Sequence, residues 1–396
     1  MRSLNQKETS TVLIMLYFIA FIGVFAVDFY LPAIPGIAKA FKVDASTIDL
    51  TMSIYTFTFA LGHLIVGSAS DYLGRKITFE IGLIISIIGT FFCMMSNNFL
   101  ELFISRGIQG FGLSCFVLTN AMIRDVFRNE LAVKIRISRN LIAYFLIAVA
   151  PSVGVIVLKF SNWRMIFALF LFFSILIFIY VRFFGIETNN NLSRSFNIIN
   201  TLKQYTRIVS NGMFMRYASI STLGYSVHFC FVTISSVLLV NQMKLHSSIY
   251  GACMFAYGIF FLTGAVIAMV LVKRFSMQKL LSVGGMLITA GGFILIITNL
   301  TGVISLLYLL IAVLFCVLGI SILTPGAVTL AMTPFETQAG AASACLGVMQ
   351  FAIAAIFSAI VSLEFEYNLI IIGSLAIMTG LSASCFAKPA LELLAV

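Results

Sequence analysis

Charged residues are scarce in this sequence. They make up 10% of the 396 residues, whereas hydrophobic residues make up 61%, and the mean hydropathy is +1.10. A soluble globular domain carries about 25% charged residues. The shortage therefore excludes an ordinary soluble protein and predicts an all-α, polytopic membrane protein. Phenylalanine is abundant, with 39 residues against a single tryptophan, which agrees with helices that face lipid.

Motifs for cofactors, metals and nucleotides are also missing. Nearly all of the seven cysteines lie inside apolar runs and none forms a CxxC pair, so no disulfide framework or metal site is predicted. The sequence contains no Walker motif, no GxGxxG after a strand and no His/Cys cluster. We therefore expect no cofactor, no metal and no enzymatic activity, and we expect an ion gradient rather than ATP as the energy source.

Acidic residues are outnumbered by basic ones, and the net charge is +10. The basic residues lie in short loops between apolar runs, which indicates membrane topology and argues against nucleic-acid binding. With the N-terminus in the cytoplasm, the outer loops hold only Lys39, Lys42, Lys159 and Lys244. This bias predicts a multi-pass protein of a bacterial inner membrane with both termini in the cytoplasm.

Twelve apolar runs are long enough to span a bilayer, which takes about 20 residues. They lie at residues 12–34, 46–67, 78–97, 99–121, 137–158, 164–184, 212–236, 248–271, 280–299, 304–328, 340–362 and 367–386. The longest polar stretch, residues 187–211, falls midway along the chain. It predicts a cytoplasmic linker between an N-terminal bundle of residues 1–186 and a C-terminal bundle of residues 212–396, each with six helices.

Two of the charges inside the apolar runs are candidates for a functional role. Asp28 lies in the last third of the first run, just before Tyr30 and two prolines, and Arg106 lies within the fourth run. Burying such a charge costs about 2.5 kcal/mol or more. Asp28 is therefore expected to face the bundle interior, where it can bind and release a proton as its exposure changes, or else to be solvated at the outer interface. Arg106 cannot lose its proton and needs acceptors or a counter-charge.

Several motifs carry a resemblance to a known family. They are VDFYLPAIPGIA (27–38), GSASDYLGRK (67–76), SRGIQGFG (105–112), IRDVF (123–127), NWRMIF (162–167), GAVTLAMTPF (326–335) and AGAASACLGVMQF (339–351). On these motifs the chain resembles the major facilitator superfamily, and more narrowly its Bcr/CflA-type drug:proton antiporters. The resemblance implies two pseudo-symmetric six-helix bundles around a central cavity, alternating access, and export of small compounds in exchange for protons.

The resemblance also implies roles for the two buried charges. Asp28 matches the family's proton-coupling position, and Arg106 matches an arginine thought to influence protonation of that acidic residue. Some relatives carry a second acidic residue about two turns earlier, where this chain has Ala20. The alternative for Arg106 is a structural arginine that binds carbonyl oxygens at the outer end of its helix.

The segment between the second and third runs resembles the family's conformational latch. The latch would comprise Gly67, Asp71, Gly74, Arg75, Lys76, Arg124 and Asp125. By resemblance, Asp71 would meet the start of the eleventh run and Arg75 would pair with Asp125, closing the cytoplasmic side. The alternative is a positively charged turn that only sets topology.

The substrate cavity should be apolar with a few polar groups. The candidates are Tyr30, Tyr55, Gln109, Asn120, Tyr144, Tyr225, His228, Asn241 and Gln350. His63 and His228 titrate near neutral pH in water, but a lone histidine in a membrane helix is more often a packing residue. Glu80 has no role that the sequence predicts.

These observations together predict a proton-coupled exporter of small lipophilic drugs or metabolites that functions as a monomer. A dedicated exporter of one endogenous metabolite, such as a siderophore or an amino-acid derivative, is the alternative. A sensor or scaffold would need a partner domain, whereas the linker and tails are short.

Overall fold

The structure is a computed structural model that describes residues 6–127, 129–189, 198–302, 305–364 and 368–386. The first half contains α1 (Gln6–Asp28), α2 (Ile34–Phe41), α3 (Ala45–Leu73), α4 (Arg75–Met95), α5 (Phe99–Leu113), α6 (Leu118–Val126), α7 (Asn129–Phe160) and α8 (Arg164–Phe184). The second half contains α10 (Gly212–Ser236), α11 (Ser247–Leu271), α12 (Met277–Leu300), α13 (Leu306–Met332), α14 (Ala339–Leu363) and α15 (Asn368–Phe386), and α9 (Ile198–Val209) lies between the halves. Short 3-10 turns at Leu31–Ala33, Ser114–Val117 and Thr333–Gln338 and a π-helix at Val237–Gln242 complete the secondary structure.

Twelve helical segments of the described chain are long and apolar enough to cross a membrane, which confirms the predicted number. All-helical structure follows from the bilayer, because a spanning segment must satisfy its own backbone hydrogen bonds there. Several of the segments are longer than predicted, and the fourth and seventh are examples. The fourth extends to Val126, and the seventh continues through the π-helix to Gln242.

Neighbouring helices approach closely where small residues face each other. A Cβ atom at Gly284 of α12 would lie 2.7 Å from the carbonyl oxygen of Gly319 in α13. One at Gly292 would lie 2.6 Å from the carbonyl oxygen of Gly373 in α15. Such small residues allow backbones to come together where lipid supplies no hydrophobic driving force.

Two helix pairs join the halves, α3 with α14 and α7 with α11. The end of the bundle that carries residues 67–76 and α9 is called the basic end below. At the opposite end, α1 stops at Asp28 and the chain turns through Leu31–Ala33. Pro32 and Pro35 explain this break, because proline supplies no backbone N–H to continue the helix. The division into two bundles at residues 187–211 remains a prediction.

Candidate functional site

Asp28 lies in the protein interior near the opposite end. The residue is only 5% exposed to solvent. No lysine, arginine or histidine of the described chain forms an ion pair with it. The turn at Leu31–Ala33, which follows it in the chain, contacts α10 and α11 of the second half. The carboxyl group therefore lies at the junction of the two halves and away from solvent.

Arg106 of α5 is fully buried. Its guanidinium stacks between two rings, 4.5 Å from the centroid of Tyr30 and 4.3 Å from that of Tyr55. It donates hydrogen bonds to the Ala26 carbonyl oxygen at 3.2 Å and to Oε1 of Gln109. Among the described residues no carboxylate pairs with it. Rings and neutral acceptors thus hold Arg106 close to the end of α1, but not in contact with Asp28.

Three cavity candidates pack around this arginine. Tyr30 and Tyr55 form the two rings of the stack, and Gln109 donates from Nε2 to the Thr90 hydroxyl at 2.8 Å. All three are buried within the first half. In this structure they hold Arg106 and do not line an open cavity.

Other candidates form an aromatic surface where the halves meet. Tyr225 of α10 packs on Phe351 of α14 at 5.1 Å between centroids, and Phe351 packs on Phe59 of α3 at 4.8 Å. Tyr144 of α7 packs on Phe261 of α11 at 5.0 Å. These rings connect both halves and supply apolar surface of the kind that ligand cavities use.

The remaining candidates are divided between the two ends. His228 hydrogen-bonds through Nδ1 to the Tyr257 hydroxyl, and Gln350 donates to the Ser221 hydroxyl at 2.7 Å. Asn120 is exposed at the basic end, whereas Asn241 is exposed on the π-helix at the opposite end. His63 binds the Phe59 carbonyl of its own helix at 2.7 Å, as a packing residue does.

A cavity of about 560 Å³ opens at the basic end. It lies between α3, α6, α9 and α14, and its lining includes Asn120, Arg136 and Tyr205. Burial raises the pKa of Tyr205 to about 12, so its hydroxyl stays protonated at neutral pH. The volume is in the range of small-molecule sites, which is about 300–1,000 Å³.

The predicted latch residues assemble beside this cavity. Asp71 pairs with Arg75 at 2.7 Å, and Nε of Arg75 binds Oδ2 of Asp125 at 3.2 Å. Arg124 packs on the start of α14, where a Cβ atom at Gly340 would lie 3.0 Å from its Nη1. Asp71 lines the same cavity as Gly340, but its carboxylate pairs with Arg75. Gly67 has open space around its Cα.

Glu187 completes the turn at the latch and was not predicted. Its carboxylate accepts hydrogen bonds from the backbone N–H of Arg75 at 2.9 Å and of Lys76 at 3.1 Å, at the N-terminus of α4. A helix N-terminus favours an anion there. Gly74 precedes it with φ of +98°, a conformation that favours glycine. No sequence signal marks this contact, because it joins distant parts of the chain.

Glu80 also gains a partner that the sequence did not indicate. Its carboxylate lies 3.4 Å from Nη1 of Arg182 and 3.8 Å from Nζ of Lys76. These contacts join α4 to the end of α8, which is a structural role near the basic end.

Asp49 of α3 was also missed. It is only 1% exposed, and its Oδ1 has no hydrogen-bond partner in the described structure. Its signal was available, since it is a carboxylate within the second apolar run.

Comparisons with known proteins agree with this architecture. A family model described as Major Facilitator Superfamily matches residues 14–387. The chain is 28% identical to the uncharacterized MFS-type transporter YdgK of Bacillus subtilis, over 96% of this chain and 94% of that protein. It is 26% identical to the multidrug resistance protein MdtL of Shewanella oneidensis, over 84% and 83%. It is also 26% identical to the bicyclomycin resistance protein homolog of Haemophilus influenzae, over 90% of each.

Solved structures show the same fold. A crystal structure of a D-xylose-proton symporter superposes with a TM-score of 0.75 at 15% sequence identity, covering 95% of this chain and 97% of that one.

Proposed function

The chain belongs to the major facilitator superfamily, and from this premise we propose that it is a proton-coupled exporter of small lipophilic compounds. As a member it is a multi-pass membrane transporter of small molecules and not an enzyme. Its similarity to proteins named for multidrug and bicyclomycin resistance supports drug-like cargo. The cargo and the coupling ion are parts of the proposal.

The observation that carries the proposal is the buried Asp28. A carboxyl group without a counter-charge in a membrane interior is retained for function in most cases. It lies between the halves, where alternating access would expose it to one side and then to the other. Asp28 would bind a proton there and lose it when cargo enters. The inward movement of protons would thereby be coupled to the outward movement of cargo.

The orientation follows from the charges. The basic end, with its arginines and lysines, would face the cytoplasm of the bacterial inner membrane, and both termini would lie there. The cavity at the basic end would then admit cargo from the cytoplasm, while the Arg75–Asp125 pair and Arg124 would act in the latch that closes this side. The proton gradient would supply the energy, and the monomer would be the working unit.

The test uses inside-out vesicles with an acidic lumen and a pH-sensitive dye. A panel of cationic, neutral and anionic compounds is added to the wild type, to Asp28→Asn and to a control, Asp44→Asn. Asp44 is exposed and precedes α3 at the same end of the bundle. We expect some compounds to release protons through the wild type and Asp44→Asn, but not through Asp28→Asn.

Two outcomes contradict the proposal. If Asp28→Asn responds like the wild type, Asp28 does not carry the proton. If no compound releases protons through the wild type, broad drug export is wrong, and export of a single native metabolite takes its place.

A further inference from the structure

A second buried carboxyl group lies at the same end of the bundle as Asp28. Asp49 of α3 is as deeply buried, its Oδ1 lacks a hydrogen-bond partner, and no basic residue of the described chain forms an ion pair with it. A polar group in this condition carries the full penalty of desolvation. A purely structural carboxyl group would be expected to have a hydrogen-bond donor or a cation as partner.

Asp28 and Asp49 each interact with one of the two tyrosines that flank Arg106. Tyr55 interacts electrostatically with both Arg106 and Asp28, and Tyr30 interacts with both Arg106 and Asp49. The two tyrosine rings are those between which the guanidinium stacks. The two carboxyl groups are therefore neighbours of one cation that is flanked by rings, and among the described residues neither pairs with it.

Tyr250 of the second half lies within electrostatic range of both carboxyl groups. This fully buried residue of α11 interacts electrostatically with Asp28 and with Asp49, and its hydroxyl lies 3.4 Å from that of Ser235. Beside it, the Ser152 hydroxyl donates to the Gly251 carbonyl oxygen at 3.0 Å, which joins α7 to α11. Separation of the halves at this end would remove Tyr250 and admit water to both groups together.

We propose that Asp49 is a second proton carrier, so that each transport cycle moves two protons. In the closed arrangement both carboxyl groups are neutral, since neither has a counter-charge. When the halves rearrange, each O–H bond breaks and its proton passes to water. Water then solvates both carboxylates, so each group can release one proton in each cycle. In the described part of the chain, the titratable groups that interact with the two carboxyl groups or with Arg106 are Tyr30, Tyr55, Cys93, Tyr225, Tyr250 and Tyr257.

This inference rests on the proposed function and makes it quantitative. One proton per cycle allows about a tenfold cargo gradient for each pH unit, whereas two protons allow about a 100-fold gradient.

The test measures protonation directly, with the proton as the only probe. The full-length protein in lipid bilayers is titrated while infrared difference spectra record the carbonyl stretch of protonated carboxylic acids. We expect Asp28→Asn and Asp49→Asn each to remove a distinct band, and Asp44→Asn to remove none from this group. Asp49→Glu should keep a titrating band at a shifted frequency, which also covers the case in which Asp49→Asn does not fold. If Asp49→Asn, or Asp49→Glu in its place, leaves the carboxylic-acid bands of the wild type unchanged, Asp49 does not bind a proton.

A second measurement separates this inference from the proposed function. In the vesicle assay, Asp49→Asn should lower the protons released per molecule of a transported compound by about half. An unchanged ratio, with the wild type active, overturns the second carrier while the exporter stands. If Asp49 titrates but no compound releases protons through the wild type, the exporter fails and the proton site stands.

Discussion

The contact between α7 and α11 gives a sharp prediction. A Cβ atom at Gly258 of α11 would lie 2.3 Å from Cα and 2.4 Å from the backbone nitrogen of Ala148. Carbon atoms pack at about 3.5–4.0 Å. Both obstacles are backbone atoms that no rotamer change can move, so Gly258→Ala must push the two helices apart by about 1 Å or more. Overpacking of this kind costs about 1–3 kcal/mol.

The same helix offers a matched control. At Gly251 the nearest atom to an added Cβ lies at 3.6 Å, an ordinary contact. Both substitutions raise helix propensity by a similar amount, about 0.5–1 kcal/mol, so the difference between them isolates the clash. Thermal unfolding can be followed through Trp163, the single tryptophan, which is buried at the opposite end. We expect the melting temperature of Gly258→Ala to lie below that of Gly251→Ala. The difference should be about 2–4 °C for each kcal/mol of lost unfolding free energy, if each half behaves as a domain of ordinary size. Equal melting temperatures would refute the argument.

Two further predictions concern single contacts. Arg106→Lys should abolish proton release in the vesicle assay, because an ammonium cannot stack between two rings and donate to Ala26 and Gln109 together. Arg182→Lys, at an exposed arginine, should retain release, and full activity of Arg106→Lys would contradict this account. Glu187→Ala should lower the free energy of unfolding by about 0.5–2 kcal/mol through loss of the cap on α4. In the same thermal unfolding measurement Glu187→Gln should recover most of that loss, since its amide oxygen still accepts hydrogen bonds, and equal effects of the two variants would argue against capping.

The twelve spans could be predicted because the bilayer imposes one physical requirement on each of them. An apolar run of sufficient length is visible in the sequence without any knowledge of its neighbours. Boundaries were less predictable. The π-helix that carries Asn241 extends the seventh span beyond residue 236, where the apolar pattern alone had ended it.

The candidate site could be predicted only in part. Asp28 and Arg106 were identified as charges in apolar surroundings, and the Arg75–Asp125 ion pair was expected from the family's motif. The rings around Arg106 were assigned to the cavity, because a sequence does not reveal which face of a helix turns toward the lumen. Glu187 escaped notice because it is remote in the chain from the helix that it caps.

The sequence by itself determined that this chain spans a membrane twelve times, which family it resembles, and which charges are too costly to bury without purpose. Those properties depend on composition, run length and local motifs. Only the tertiary structure decided that Arg106 stacks between two tyrosines without pairing with Asp28, and that Asp49 is buried with no hydrogen-bond partner for its Oδ1. Such contacts arise when helices from distant parts of the chain pack together, and a one-dimensional pattern does not specify which faces meet.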